Sequence, residues 1–275
     1  MELRLNYLLQ KMDFKNKIVW ITGASSGIGE ALVYALNQQG AKLIISSRKA
    51  ENLYKVKQKC KSNLMDIHVL PLDLEQKQTL FNKADEAWKI YGRIDILING
   101  GGISQRSLVI DTQQEVEEKI MNTNYWGTVY LSKALLPKML EQGNGHLVIL
   151  SSVVGKFGTQ FRSSYAASKH ALHGYFDSLR CEVYDKGIAV SIICPGYVKT
   201  NVTINSVTAN GDKYGIMDAH QENGMSALAC ANKILKAVAA KKEEVLIGGK
   251  ETFGVYLKRF FPKYFSKMVK KIKVS

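Results

Sequence analysis

Short apolar runs alternate with longer amphipathic stretches along most of the chain. The runs are rich in Val, Ile and Leu, which is typical of buried strands, and the stretches between them have helical periodicity. Continuous apolar strands separated by helices indicate a parallel sheet that is covered on both faces. The pattern therefore predicts an α/β fold, a doubly wound parallel seven-stranded sheet with helices on both faces. The seven predicted strands are 17–22, 43–46, 67–74, 94–99, 146–152, 188–195 and 244–248.

The same pattern divides the chain into three parts. Residues 1–13 form an N-terminal extension, residues 14–249 form one α/β domain, and residues 250–275 form a basic, aromatic tail. We expect the polar stretch 200–224 to form a lid over a substrate, because loops that follow the strands of such a sheet carry specificity. A surface loop that covers its own apolar residues is the alternative. Long helices are predicted over 75–91, 112–142, 164–186 and 225–241.

Charge and composition exclude several classes of protein. The net charge is +14, and residues 250–275 hold eight lysines and arginines against one acid, or +7. A nucleic-acid-binding surface would spread this charge over a face of the fold, so no nucleic-acid partner is expected. The four cysteines and five histidines lack the spacing of a metal site or a disulfide framework, which fits a cytoplasmic protein without a metal. No apolar run reaches the roughly 20 residues of a membrane span, and the first residues do not have the pattern of a secretory signal.

A tyrosine and a lysine in the helix predicted after the fifth strand carry the candidate chemistry. Tyr165 and Lys169 are four residues apart, so both lie on one helix face, and Ser152 ends the preceding strand. A neighbouring cation lowers the pKa of a tyrosine from its ordinary value of about 10. Lowering it to about 7 takes about 4 kcal/mol, more than one lysine is expected to supply. The pattern predicts a proton-transfer site, whereas a Tyr-x-x-x-Lys pair alone is also common on solvated helix faces.

A glycine-rich turn follows the first predicted strand and reads Thr-Gly-Ala-Ser-Ser-Gly-Ile-Gly over residues 22–29. Gly23 would allow the tight turn, Gly27 the close approach of a pyrophosphate, and Gly29 the packing of helix on strand. The N–H groups at the start of the next helix would then face the phosphates. The turn predicts a dinucleotide site, although any tight strand-to-helix turn can use such glycines.

The end of the second strand bears on the choice of dinucleotide. It reads Ser46-Ser47-Arg48, where an NAD-selective site usually carries an acid for the ribose 2′-hydroxyl. Arg48 would instead pair with a 2′-phosphate through charge-assisted hydrogen bonds. The sequence therefore favours NADP over NAD, with a surface arginine at a strand end as the alternative interpretation.

Together these motifs resemble the classical short-chain dehydrogenase/reductase family over about residues 14–249. The glycine turn, Asn124 in Asn-x-x-Gly, Ser152, Tyr165-x-x-x-Lys169 and Pro195-Gly196 occur in the order and spacing of that family. The stretch GRIDILINGGGISQRSL is similar to the dehydrogenase/reductase SDR family member 7 group, a membrane-associated branch that uses NADP. The resemblance implies a Rossmann-like fold and hydride transfer with a nicotinamide cofactor.

The resemblance also implies roles for single residues. Tyr165 matches the general acid/base, Lys169 the residue that lowers its pKa and binds the nicotinamide ribose, and Ser152 the partner of the substrate carbonyl. Asn124 matches the residue at a helix kink that holds a water leading from the lysine to solvent. The expected cofactor contacts are Gly23, Ser25, Ser26, Gly27, Ile28, Gly29, Arg48, Asp73, Leu74, Asn99, Tyr165, Lys169, Pro195, Gly196, Val198 and Thr200.

One motif departs from the family pattern. The usual Asn-Asn-Ala-Gly reads Asn99-Gly100-Gly101-Gly102, so only Asn99 is carried over as a cofactor residue. Three glycines in a row cost backbone entropy. They would either allow a closer approach of the cofactor or loosen the loop.

The predicted activity is that of an NADP(H)-dependent oxidoreductase that interconverts a carbonyl and a secondary alcohol, EC 1.1.1.-. A bulky, partly apolar substrate such as a sterol, retinoid, quinone or lipid ketone is compatible with the apolar residues among the polar ones of the lid. NAD-dependent alcohol oxidation is the alternative within the enzymes. A non-catalytic dinucleotide sensor or a membrane-surface binding protein is the alternative of another class.

Two surface properties are expected as well. The helices over 112–142 and 164–186 carry apolar residues beyond one stripe, and the equivalent helices of the family pair across a two-fold axis, which implies a homodimer or homotetramer. In the tail, aromatic residues recur at helical spacing among lysines, and Pro262 would divide two short helices. Such a tail fits an anionic membrane surface, a neighbouring subunit or the core of its own domain. The apolar residues assigned to the subunit interface are Val129, Leu135, Leu172, Phe176 and Leu179.

Overall fold

A parallel sheet of seven strands lies at the centre of residues 14–271, the part of the chain that the computed structural model describes. The strands of this part of the chain are β1 (Ile18–Thr22), β2 (Lys42–Ser46), β3 (Ile67–Val69), β4 (Ile96–Asn99), β5 (Gly145–Leu150), β6 (Ile188–Pro195), β7 (Val198–Lys199), β8 (Met225–Ser226) and β9 (Glu244–Ile247). The sheet has the order β3-β2-β1-β4-β5-β6-β9, and all its neighbours are parallel. The predicted fold class is confirmed. Strands β2 and β3 are added on one side of β1, and β4, β5, β6 and β9 on the other, so the strand order reverses between β1 and β4, where ligands bind in such sheets.

Helices cover both faces of this sheet. Those on one face are α1, α2 and α8, and those on the other are α3, α5 and α6. The helices, in chain order, are α1 (Gly27–Gln38), α2 (Ala50–Gln58), α3 (Leu80–Tyr91), α4 (Gln114–Met121), α5 (Gly127–Gln142), α6 (Ser163–Val183), α7 (Ala219–Glu222), α8 (Ala227–Ala239), α9 (Phe253–Phe260) and α10 (Pro262–Val269).

Strand β1 shows why both faces are apolar. Successive side chains of a strand point to opposite faces. Val19 and Ile21 therefore pack with α1 and α8, whereas Ile18 and Trp20 pack with α5 and α6. All five residues of the strand are buried, which explains the continuous apolar run in the sequence.

Most predicted elements differ from the observed ones by a few residues at their ends, and three differ more. The third strand ends at Val69 because β2, its partner, ends at Ser46, although Leu70 and Leu72 still donate backbone hydrogen bonds along that edge. The helix predicted over 75–91 begins only at Leu80, after a single 3₁₀ turn. The helix predicted over 112–142 is divided into α4 and α5 by a π-helical turn at Asn122–Trp126.

The apolar residues that the sequence assigns to a subunit interface lie inside the protomer. They are buried against the sheet face that carries Trp20, and their assignment to an interface is wrong. A helix that packs on a sheet and on a neighbouring helix needs a wider apolar stripe than one contact requires. The buried residues are Val129, Leu135, Leu172, Phe176 and Leu179.

The tail folds back on the domain. Pro262 is the first residue of α10, which confirms the predicted division into two short helices. Phe265 is buried against Val153, Val154 and Phe157, and its ring meets that of Phe157 edge-on at 5.1 Å. The N-terminal extension over 1–13 and the last tail residues, 272–275, lie outside the described residues. Within residues 14–271, none of the helices combines the length and the apolar character needed to cross a membrane.

Candidate active site

A cleft of about 880 Å³ opens at the carboxyl ends of the central strands. The last residues of β1, β2, β5 and β6 all line it, as do the glycine turn and several residues of the 200–224 stretch. Because loops after parallel strands meet at one edge of a sheet, motifs far apart in the sequence share this cleft. The predicted site residues on its wall are Ser25, Ser26, Gly23, Gly27, Ile28, Gly29, Arg48, Asp73, Leu74, Ser152, Tyr165, Lys169, Pro195, Gly196, Val198 and Thr200.

The glycine turn has the geometry of an anion cradle. Gly23 and Gly27 have φ of 68° and 57°, which a side chain disfavours. At Gly29 a Cβ atom would lie 2.1 Å from the carbonyl oxygen of Gly23, so the turn closes tightly on the helix that follows. Ser26 precedes α1 and makes no capping hydrogen bond through its side chain in the described structure, which leaves first-turn N–H groups for a ligand. These residues fit the pyrophosphate of a dinucleotide.

The three-glycine loop packs against the glycine turn. Thr22 Oγ1 accepts hydrogen bonds from the N–H groups of Gly100 and Gly101, at 3.1 and 3.2 Å. A Cβ atom at Gly100 would lie 2.8 Å from the carbonyl oxygen of Thr22, and one at Gly23 would lie 2.7 Å from that of Gly100. The glycines at 23 and 100 thus allow two backbone segments to pack closely, a role that the sequence did not indicate, and the closer approach of a cofactor stays a prediction.

Two predicted site residues lie behind the cleft wall. Asn99 Nδ2 donates to Ser132 Oγ at 3.0 Å, so its side chain points towards α5. Asn124 is fully buried in the π-helical turn. Its Oδ1 accepts from the N–H of Ile103 at 2.8 Å, and its Nδ2 donates to the carbonyl oxygen of Ile103 at 2.9 Å and to Ser168 Oγ at 3.0 Å. Asn124 thus ties the loop after β4 to α6, the helix that carries Tyr165 and Lys169.

Ser152, Tyr165 and Lys169 come together at the centre of the cleft. Lys169 is buried, its Nζ donates to the carbonyl oxygen of Leu150 at 2.7 Å, and it lies 5.8 Å from the centre of the Tyr165 ring. Ser152 follows β5, and its hydroxyl donates a hydrogen bond to the carbonyl oxygen of Pro195 at 3.4 Å and lies close to the Tyr165 side chain. The predicted constellation of hydroxyl, phenol and ammonium is therefore present in space.

Burial and charge act against each other on these groups. Burial raises the pKa of Tyr165, and the hydrogen bond with Ser152 and the guanidinium groups of Arg162 and Arg106 oppose that rise. Burial lowers the pKa of Lys169 to about 8. The ammonium group therefore loses its charge as the pH rises through about 8, whereas Arg106, whose pKa burial lowers to about 10, keeps its charge to a higher pH.

Gln105 is a site residue that sequence reasoning missed. Its Oε1 accepts hydrogen bonds from the N–H groups of Ser164 and Tyr165, at 2.9 and 3.3 Å, in the first turn of α6. Its Nε2 donates to hydroxyl groups on both sides, including Ser107 Oγ at 3.0 Å. Gln105 is fully buried and fixes the start of the helix on which the phenol sits. A glutamine next to a polar loop carries no sequence signal for such a role.

Arg106 and Arg162 are also missing from the sequence-predicted set. Both line the cleft, and both contact Asp218 Oδ2, at 3.4 and 3.3 Å. The three residues are separated by 56 and 112 positions in the chain, so spacing does not reveal them. The only available signal is that an arginine directly precedes the predicted tyrosine helix.

The family model described as short chain dehydrogenase matches residues 17–211 of this chain. Dehydrogenase/reductase SDR family member 7B of Danio rerio is 40% identical over 262 residues, which cover 93% of this chain and 85% of the relative. Dehydrogenase/reductase SDR family protein 7-like of Drosophila melanogaster is 39% identical over 272 residues, which cover 95% and 83%. Both belong to the group that the stretch around Asn99 resembles.

Solved structures give the same result for the fold. A short-chain dehydrogenase from Streptomyces avermitilis has a TM-score of 0.79 at 25% identity, with 93% of this chain and 96% of that one covered. A short chain dehydrogenase/reductase from Burkholderia phymatum in complex with NAD has a TM-score of 0.81 at 20% identity, with 92% and 96% covered. With the matched family model, the similar relatives and the glycine turn all in agreement, this chain belongs to the short-chain dehydrogenase/reductase family of NAD(P)-binding oxidoreductases.

Proposed function

We propose that this protein is an NADP(H)-dependent oxidoreductase that interconverts a carbonyl and a secondary alcohol, with Tyr165 as the general acid/base. The observation that carries the proposal is the convergence of Ser152, Tyr165 and Lys169 on one cleft with the glycine turn. A non-catalytic dinucleotide sensor would be expected to have lost Tyr165 or Lys169, and both residues are present here. The apolar side chains of Val153, Val154, Phe157, Val202 and Val207 on the same wall support a bulky, largely apolar substrate.

The glycine turn and Arg48 would hold a nicotinamide dinucleotide, which would supply the hydride for the carbonyl carbon or accept it in the reverse direction. The Ser152 hydroxyl donates a hydrogen bond to the carbonyl oxygen, and Tyr165 gives that oxygen the proton that completes the alcohol. Lys169 and the nearby guanidinium groups stabilise the phenolate that remains. Asn124 and Gln105 hold the helix that aligns the phenol.

NADP preference is supported by the surroundings of Arg48. Ser47, Arg48 and Lys49 line the cleft at the end of β2, where no acid is present to bind a ribose 2′-hydroxyl. Arg48 is exposed, so its guanidinium group can reach a 2′-phosphate. The fold itself does not decide the choice, because the Burkholderia phymatum protein is in complex with NAD and one from Burkholderia cenocepacia with NADP.

The hydroxyl of Tyr165 should be essential for turnover. Tyr165→Phe keeps the ring and removes the proton, so turnover of a good carbonyl substrate should fall about 100-fold or more. NADPH binding, measured by fluorescence titration, should survive. Tyr175→Phe is the matched control, because Tyr175 lies on the same helix and packs against Tyr125 away from the cleft. Near-normal turnover of Tyr165→Phe would contradict the mechanism.

The cofactor choice should depend on Arg48. The double variant Ser47→Asp, Arg48→Leu removes the phosphate partner and adds a ribose partner, so preference should move from NADPH towards NADH. Arg48→Leu alone should weaken NADPH binding and leave NADH binding unchanged, which separates the phosphate contact from general damage to the site. Equal affinity of the unmodified protein for both dinucleotides would show that the Arg48 argument is wrong.

The protein is still proposed to form a homodimer or homotetramer, but through surface residues other than the buried ones that the sequence indicated. Half-buried aromatic side chains lie on the π-helical turn and on the adjoining helices α5 and α6: Trp126 stacks on Tyr130 at 5.2 Å, and Tyr125 meets Tyr175 edge-on at 6.3 Å. Aromatic residues are enriched in interfaces. Sedimentation velocity at micromolar concentration should therefore give a dimer or larger, and Trp126→Ala should shift it towards monomer. A monomer in the unmodified protein at that concentration would exclude the assembly.

A second function, contact with an anionic membrane surface, is favoured by the exposed face of the tail. Five of its aromatic side chains remain exposed although Phe265 is buried. Between residues 250 and 271 the tail has seven basic residues and one acid, Glu251, whose Oε1 accepts from the N–H groups of Tyr197 and Gly249. Each basic residue near an anionic surface adds about 1 kcal/mol of attraction. The exposed aromatic residues are Phe253, Tyr256, Phe260, Phe261 and Tyr264.

Flotation with vesicles tests the membrane proposal. Deleting the tail would also remove Phe265 from the core, so Phe260→Ser with Phe261→Ser is the sharper change. The unmodified protein should float with phosphatidylserine-containing vesicles in a salt-sensitive way, and the double variant should lose most of that binding. Phe81→Ser, which changes an exposed aromatic residue on α3, is the control. If the unmodified protein and the double variant partition equally, the tail has no membrane role.

A further inference from the structure

Two buried arginines share one carboxylate in the wall of the cleft. Arg106 Nη2 lies 3.4 Å and Arg162 Nη2 lies 3.3 Å from Asp218 Oδ2, and the three side chains are 4%, 8% and 1% exposed. Two positive charges therefore face one negative charge. Buried charges are ordinarily paired, because each one gives up hydration that only a partner can replace.

Asp218 cannot neutralise both arginines. Its Oδ1 is occupied as the cap of α7, where it accepts hydrogen bonds from the N–H groups of His220 and Gln221 at 2.9 and 3.3 Å. Both guanidinium groups are left with the single oxygen Oδ2, at distances longer than the 2.7–2.9 Å that is typical of strong charge-assisted bonds. One positive charge in the cluster thus remains without a partner of its own.

The cluster also has donors to spare. The Nε atoms of Arg106 and Arg162 are both buried, and neither has a hydrogen-bond partner among the described residues. The Nη donors of Arg106 do have partners: Nη1 donates to the carbonyl oxygen of Gln105 at 2.9 Å and to Ser104 Oγ at 3.5 Å, and Nη2 donates to Thr203 Oγ1 and Asp218 Oδ2, both at 3.4 Å. Native structures rarely leave donors such as the two Nε atoms unsatisfied without a ligand or ordered water. Both residues line the cleft, so a ligand in the cleft has access to them.

The position of the cluster separates it from the cofactor end of the cleft. Arg162 directly precedes α6 and is three residues before Tyr165, and Arg106 follows Gln105 in the loop after β4. Arg48, the proposed partner of the cofactor phosphate, lies after β2 on the other side of β1. Thr203 and Asp218 belong to the 200–224 stretch, so the cluster sits between the lid and the phenol.

We propose that Arg106 and Arg162 form a subsite for an anionic group, a carboxylate or a phosphate monoester, carried by the carbonyl substrate. A guanidinium group is planar and donates in a fork that matches both anions. An anion there would use the free donors and neutralise the excess charge. This inference rests on the proposed function, since it assigns the group to the substrate that Ser152 and Tyr165 hold.

The test is equilibrium binding of small unreactive probes to the full-length protein saturated with NADP⁺, which occupies the cofactor phosphate sites. Benzoate and phenyl phosphate are the anionic probes, and benzamide is the neutral one; calorimetric titration gives each affinity. The unmodified protein should bind at least one anionic probe tenfold or more tightly than benzamide. The preferred anion identifies the group as carboxylate or phosphate.

Arg162→Gln and Arg106→Gln should each reduce that preference to threefold or less, with NADPH affinity and thermal stability close to those of the unmodified protein. Each single variant leaves the other arginine paired with Asp218, so the lid contact is kept. Arg93→Gln, which changes an exposed arginine paired with Asp95, is the matched control and should leave the preference intact. Equal binding of anionic and neutral probes, or no binding of any probe, would overturn the subsite. If the variants lost affinity for benzoate and for benzamide equally, the subsite would also be overturned, and the arginines would only hold the 200–224 stretch through Asp218.

Failure of the subsite and failure of the proposed function are distinguishable. If NADP⁺ does not bind, the proposed function fails, and the probes are titrated without it against Arg48→Leu and Arg162→Gln. Loss of anion preference in Arg162→Gln alone would then keep the subsite. Loss of anion preference in Arg48→Leu alone would place the anion at the end of β2 and overturn the proposed subsite.

Discussion

The site depends on one segment, residues 99–106, which begins with the last residue of β4. Most residues of this segment make a hydrogen bond to a different part of the molecule. The N–H groups of Gly100 and Gly101 are held by Thr22 at the end of β1, and Ile103 is held by Asn124 through both its N–H and its carbonyl group. Gln105 fixes the start of α6, and Arg106 reaches Asp218 in the 200–224 stretch. The glycine turn, the tyrosine helix and the 200–224 stretch are therefore all positioned against one segment. A glycine at 100 is required there because a Cβ atom would be 2.8 Å from a carbonyl oxygen of β1, whose backbone cannot move without disturbing the sheet.

The electrostatics of the phenol follow from this packing. Enclosing Tyr165 removes water from the phenolate, and that is the largest influence on its pKa. The same enclosure lowers the pKa of Lys169 to about 8, so the lysine is itself weakened as a source of charge at high pH. Burial lowers the pKa of Arg106 as well, to about 10, which is still above that of the lysine. The guanidinium groups of Arg162 and Arg106 oppose the effect of burial on the phenol, but the pKa of Tyr165 stays raised, so the lowering expected from the sequence is not found in the structure.

The sequence predicts those features of the fold and the site that are set by residues close together in the chain. The sheet was predictable because strands covered on both faces are continuously apolar, as β1 is. The motif residues were predictable because each motif is short: the glycine turn directly follows β1, and Tyr165 and Lys169 are one helical turn apart. The length of the third strand could not be predicted, because it is set by the residue at which its partner, β2, ends. The interface assignment of Phe176 and Leu179 was wrong because an apolar stripe does not record which surface covers it. Four site residues could not be predicted, because their contacts join positions tens of residues apart in the chain: Gln105, Arg106, Arg162 and Asp218.

The tail connects the outer surface to the substrate end of the cleft. Phe265 packs on Val153, Val154 and Phe157, and those three residues also line the cleft. Phe265 thus lies between the exposed aromatic residues of the tail and the cleft wall that is proposed to hold the apolar part of a substrate. A carbonyl compound with an apolar body and an anionic group is an amphiphile, and burial of its apolar part draws it to a membrane surface. The proposed tail contact and the proposed arginine subsite therefore suit the same kind of molecule, although they rest on different residues: the first on aromatic rings outside the domain, the second on two guanidinium groups within it.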